Sequence, residues 1–139
     1  MKRIFTFAVL WFAFSLVINA EKSWAQYERY SAQNALLTLR PKAVFMGNSI
    51  TNNWAKFHPE FFAENNFLGR GISGQTTAQM LSRFQSDVVA LRPKMVIIMA
   101  GTNDIAMNNG YISHEHILQN IQSMCELAKH NKIKPVLCS

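Results

Sequence analysis

The first hydrophobic run of the chain follows Lys2 and Arg3 and continues from Ile4 to Ile18, after which small and polar residues take over. It is shorter than the roughly 20 residues that span a membrane. A charged start, an apolar centre and a small-residue exit are the order of an export leader. Ser23 and Ala25 place small side chains at minus three and minus one, so cleavage is expected before Gln26, with Ala20 as the second choice. Residues 1–25 are assigned to the leader and 26–139 to the folded domain, which is expected outside the cytoplasm, periplasmic or secreted. No cysteine lies near either cleavage position, so a lipid anchor is not expected.

Downstream, the apolar positions alternate between two spacings. Gln26 to Leu39 has neither proline nor glycine, and Tyr30, Leu36, Leu37 and Leu39 predict a loosely amphipathic helix stopped at Arg40-Pro41. Ala43 to Met46 predicts a buried strand, Trp54 to Asn65 loop and short helix, Phe67-Leu68 a weak strand, and Gly69 to Gly74 a glycine-rich loop. Thr76 and Gln79 form a capping box, and Met80, Phe84 and Val88 recur at i+4, so a helix is expected to about Ala90. Met95 to Ala100 is a continuous apolar run, the pattern of a strand covered on both sides. Ser113 caps a helix carrying Ile117, Ile121, Met124 and Ala128 on one face, and Val136 to Cys138 predicts a last strand. Strand and helix in alternation mean a parallel sheet with helices on both faces. Leu39-Arg40-Pro41-Lys42 and Leu91-Arg92-Pro93-Lys94 each precede a strand and a small polar cluster, as expected of two helix-to-strand units with the same turn chemistry.

Composition narrows the function classes. At 139 residues, 49% hydrophobic and 16% charged, the chain is one globular domain and not a disordered or fibrous one. The net charge of +6 falls to +4 without residues 1–25, where three bases and one acid lie. Arg29, Arg40, Lys42, Arg70, Arg83 and Arg92 are scattered without interleaved aromatics, which argues against a nucleic-acid partner. Cys125 and Cys138 make no disulfide framework and lack metal-ligand spacing. His114 and His116 stand at i and i+2 and so point to different sides of a helix. No metal or cofactor is expected, nor a stable membrane span once the leader is removed.

Chemistry is concentrated in Gly47-Asn48-Ser49-Ile50-Thr51, Gly71-Ile72-Ser73-Gly74-Gln75-Thr76 and Gly101-Thr102-Asn103-Asp104. Each follows a predicted strand at the carboxyl edge, where open α/β sheets bind ligands. A serine there can attack a carbonyl while its own N–H faces the developing oxyanion. A glycine before a helix supplies a second N–H, and an asparagine side chain a third donor. Taken singly, each is an ordinary cap or turn residue.

In this order and at these spacings the loops resemble the blocks of the SGNH, or GDSL, hydrolase family. The resemblance implies a flavodoxin-like three-layer α/β/α fold and serine-dependent hydrolysis of esters, of lipase, acylhydrolase or carbohydrate-esterase type. By position, Ser49 matches the nucleophile, Gly74 the oxyanion-hole backbone donor and Asn103 the oxyanion-hole side chain. Where the family usually reads GDS, this chain has Asn48, which keeps the size and the acceptor but loses the charge. The implied partner is a small-molecule, glycan or lipid ester; oligomeric state is not indicated.

The family's Asp-x-x-His block is not matched, since none of His58, His114, His116 and His130 has an aspartate three residues earlier. The expectation is therefore a truncated member, missing the last strand and helix and inactive alone, the alternative being a non-catalytic acyl-glycan-binding module. Gly69 to Gly74 also matches GxGxxG, but Phe67-Leu68 is a poor preceding strand and no acid occurs between Asp87 and Asp104 to hold a ribose.

Overall fold

The computed structural model describes residues 23–138, so most of the leader lies outside the described residues. Four parallel strands, β1 (Ala43–Gly47), β2 (Phe67–Gly71), β3 (Met95–Met99) and β4 (Lys134–Leu137), lie in the order β2-β1-β3-β4. The helices are α1 (Ser31–Ala35), α2 (Ser49–Phe57), α3 (Pro59–Asn65), α4 (Thr77–Asp87), α5 (Thr102–Ile105) and α6 (His114–His130). The parallel sheet with flanking helices is the expected three-layer α/β arrangement.

Alternation along β1 explains the layering. Val44 and Met46 face one side and pack with Val96 and Ile98 of β3 against Met80, Phe84 and Val88 of the α4 segment and Met124 and Ala128 of α6. Ala43 and Phe45 face the other side, against Phe62 and the partly buried Phe61 and Phe67. Phe45 is central to this second layer, its ring centroid 5.3 Å from Trp54 and 5.2 Å from Phe62, both edge-on. Trp54, Phe61 and Phe62 are thus packing residues, while Phe57 is 66% exposed.

β3 is covered unevenly. Val96 and Ile98 are buried, whereas Met95, Ile97 and Met99 on the opposite face are half-buried, because α2 and α3 lie over β1 and β2. The repeated Leu-Arg-Pro-Lys segments deliver adjacent strands: Ala43 is in register with Met95, and the Arg40 guanidinium donates to the Arg92 carbonyl.

Several expected elements differ. The predicted helix over 26–39 shrinks to the five residues of α1, preceded by turns, and Leu36 and Leu39 are 80% and 73% exposed. Polar anchors hold this segment instead: the Tyr30 hydroxyl donates to the Gly71 carbonyl at 2.5 Å, and Asn34 Nδ2 donates to Asp87 at 2.8 Å. Residues 49–65 form two helices divided at His58, with Pro59 opening α3 at a position where its missing N–H costs nothing. Gly69 and Gly71 lie in β2 rather than in a loop, so the GxGxxG match has no phosphate-cradling turn. α4 ends at Asp87 and a 3-10 turn over Val89–Leu91 completes the connection.

Because Phe84 is fully buried between α4 and the sheet, Phe84→Ala should destabilise by about 3–5 kcal/mol. Phe57→Ala, on the exposed end of α2, should stay within about 0.5 kcal/mol. Urea unfolding of the two variants separates these outcomes.

Candidate active site

Strand register brings the three loops together. Gly47 is level with Gly71 on one side and with Met99 on the other, so β1, β2 and β3 end at one height. Ser49, Gly74 and Asn103 follow those endpoints by two, three and four residues.

Ser49 is the first residue of α2, and Asn48 is its N-cap, with the Asn48 Oδ1 accepting from the Ile50 N–H at 3.1 Å. The Ser49 N–H is one of the donors that a helix start leaves without an intrahelical partner. Among the described residues the half-buried Ser49 hydroxyl makes no hydrogen bond. Gly71 lets α2 sit this close to the sheet: a Cβ there would lie 2.3 Å from the Asn52 nitrogen and 2.7 Å from the Asn48 carbonyl oxygen, both backbone atoms.

Gly74 occupies a turn closed by the Gln75 N–H donating to the Ile72 carbonyl at 3.3 Å. Its φ of +80° is a left-handed conformation that favours glycine. Gly74 is exposed, and its N–H takes no partner among the described residues. Beside it, Asn103 Nδ2 donates one hydrogen to the Gln75 carbonyl at 2.9 Å, which leaves the second hydrogen free. Asn103 Oδ1 accepts from Asn108 Nδ2 at 2.7 Å. The neighbouring Asp104 is buried and accepts from the Thr77 N–H at 2.9 Å and the Thr77 hydroxyl at 2.6 Å, fastening the third loop to the start of α4.

Beneath these loops lies a group that the sequence reading counted only among scattered bases. Arg83 is 0% exposed. Its Nε donates to Gln75 Oε1 at 2.6 Å, Nη1 to Asp87 at 2.9 Å, and Nη2 to the Arg70 carbonyl at 2.7 Å and the Gly47 carbonyl at 3.4 Å. One guanidinium therefore ties the ends of β1 and β2 to the loop before α4. Burial pushes its pKa below the ordinary value, and the Asp87 hydrogen bond draws it part of the way back. The signal in the sequence was Arg83 and Asp87 at i and i+4 on the buried face of a helix. Arg70 is buried as well, its Nη2 donating to Asn34 Oδ1 at 2.6 Å and its guanidinium lying 4.6 Å from the Tyr30 ring centroid.

Two of the four histidines are engaged elsewhere. His58 Nδ1 lies 3.3 Å from Glu60 on the exposed junction of α2 and α3, and His116 Nδ1 lies 2.7 Å from the Ser113 hydroxyl at the start of α6. His114 is exposed, and His130 ends α6 at the opposite edge of the sheet. Among the described residues no group of three His, Cys, Asp or Glu side chains is placed to hold a metal.

Residues 45–138 match the family model of the GDSL-like lipase/acylhydrolase family. The chain belongs to that family. It is similar to a solved GDSL-like lipase from Bacteroides thetaiotaomicron VPI-5482, at 52% identity and a TM-score of 0.78, over 81% of this chain and 57% of that one. A solved candidate acylhydrolase from Bacteroides fragilis NCTC 9343 gives 52% identity and a TM-score of 0.80, over 84% of this chain and 58% of that one. An uncharacterized lipoprotein of Bacillus subtilis strain 168 is 38% identical over 73 residues, which is 50% of this chain and 30% of that protein. The GDSL-family chain thus spans less than two thirds of these relatives.

Asp87→Ala leaves the buried Arg83 without its carboxylate and should cost about 3–5 kcal/mol. Glu60→Ala, which breaks only the exposed pair with His58, should cost at most about 1 kcal/mol. Denaturation midpoints check both.

Proposed function

We propose that this chain carries the nucleophile and the oxyanion hole of an exported ester hydrolase. Ser49 Oγ attacks the acyl carbonyl, its proton passes to a base, and the negative charge formed on the carbonyl oxygen is received by the Ser49 N–H, the Gly74 N–H and the free hydrogen of Asn103 Nδ2. The observation that carries this reading is the common height of Gly47, Gly71 and Met99, together with the Asn103-to-Gln75 hydrogen bond beside Gly74. Family membership supports hydrolysis of an ester as the reaction class.

A serine hydroxyl is a weak nucleophile until a neighbouring base takes its proton. His58 and His116 are paired with Glu60 and Ser113, His130 lies at the far edge, and His114, exposed at the start of α6, makes no hydrogen bond among the described residues that would orient it, so this reading assigns the base to none of the four. The substrate is an ester whose alcohol is a glycan, a lipid or a small molecule. Export rests on the leader pattern of residues 1–25, and no described helix is long and apolar enough to cross a membrane.

In a protein carrying the complete machinery, Asn103→Ala should lower kcat by roughly 10² to 10³ with KM little changed, the loss typical of one oxyanion donor. Ser49→Ala should cost more and abolish labelling by a fluorophosphonate, and full labelling of that variant would put the nucleophile elsewhere. The chain assayed alone should show no Ser49-dependent hydrolysis of p-nitrophenyl acetate in the enzymic range of about 1 to 10³ per second. Turnover in that range would place the base among His58, His114 and His116.

A further inference from the structure

The folded domain begins before Gln26. Ala25 is 0% exposed, and Ser23 closes a turn over it, its carbonyl accepting from the Gln26 N–H at 2.9 Å and its hydroxyl from the Tyr27 N–H at 3.1 Å. Two glutamines some fifty residues away depend on this turn: Gln75 Nε2 donates to the Ala25 carbonyl at 2.7 Å and Gln79 Nε2 to the Trp24 carbonyl at 2.7 Å. Neither amide is free to turn around. Arg83 can only donate, so its bond to Gln75 Oε1 fixes that amide with Nε2 toward Ala25. Gln79 Oε1 likewise accepts from the Thr76 N–H at 3.0 Å and from Asn109 Nδ2 at 2.7 Å, which directs its Nε2 at Trp24.

Gln75 is only 2% exposed with this turn in place, so the turn both covers its amide and supplies its acceptor. Among the described residues no buried side-chain nitrogen or oxygen lacks a partner. A chain beginning at Gln26 would lose the acceptors of both glutamines and uncover Gln75, whose carbonyl also holds Asn103. It would further remove a fully buried methyl group and put a new ammonium on Gln26, a residue held at φ +51° by the turn it would have lost.

We infer that leader processing occurs upstream of this turn, after Ala20, so that the exported protein keeps Trp24 and Ala25 as part of the wall behind the oxyanion loop. The inference rests on the export reading above and replaces the sequence-based preference for Gln26. Ala20 supplies the small residue that the minus-one position requires, with aliphatic Ile18 at minus three.

The test is the intact mass of the exported protein after expression of the full chain in a bacterium with a secretory pathway. The expected N-terminus is Glu21. Ala20→Leu should leave precursor uncut, whereas Ser23→Lys, which puts a charge at minus three of the downstream position, should leave the cut where it was. Intact mass reads the cleavage position on exported material whether or not either change disturbs the fold. An N-terminus at Gln26, or a block by Ser23→Lys with none by Ala20→Leu, overturns the inference. Retention of Met1 on cytoplasmic protein overturns the export reading and this inference with it, and is distinguishable from a cut at Gln26 by mass alone.

Discussion

A cation with no access to water needs its hydrogen-bond donors met by protein acceptors, and at Arg83 those acceptors border the loops of the candidate site. The carbonyl of Gly47 precedes the Ser49 loop, that of Arg70 lies at the end of β2, and Gln75 Oε1 belongs to the loop after Gly74. Only Asp87 comes from the same helix. Loops that carry reactive groups usually pack loosely and move. Here two of them converge on one planar guanidinium, and any displacement of either leaves a buried donor without an acceptor.

Such an arrangement is a poor source of stability in itself. Desolvating two charges costs several kcal/mol per ion, and a well-packed apolar replacement of a buried pair is often neutral or better. What the network provides is geometry. Val44, Met46, Phe84 and Met124 hold β1 against α4 and α6 by nondirectional burial. That burial tolerates small shifts, whereas hydrogen bonds of 2.6 to 2.9 Å at fixed angles do not. The same logic extends through the third loop, where Asp104 accepts twice from Thr77 and Asn103 bonds the Gln75 carbonyl.

The fold was legible wherever local signals and burial agreed. α4 and α6 carry their caps in the sequence, Thr76 with Gln79 and Ser113, and their apolar residues recur on the face that meets the sheet. β1 reads as an apolar run because it is buried on both faces, whereas the exposed edge strand β4 starts at Lys134-Pro135, ahead of the expected Val136, and ends at Leu137. Residues 26–39 misled because apolar spacing suggested a helix, while the segment is held by Tyr30 and Asn34 reaching across to Gly71, Arg70 and Asp87, contacts that no local pattern announces. The candidate site residues stood out only as an ordered set, since Ser49, Gly74 and Asn103 are singly a helix start, a turn and a residue of a one-turn helix. Arg83 escaped because an arginine is expected at a surface, and its acceptors lie up to 36 positions away.

Asn48, the departure from the usual GDS pattern, is intelligible from its position. It is buried, so a carboxylate there would have to be desolvated beside a helix start. The capping bond to the Ile50 N–H needs only an acceptor, which the asparagine Oδ1 supplies. A negative charge at this cap would favour the helix through its dipole but oppose any negative charge forming over the Ser49 N–H one residue on. A neutral cap keeps the backbone in place without that opposition. Because the amide is fixed by its own bond to Ile50, the loop needs no ionised group to present Ser49 at the end of β1.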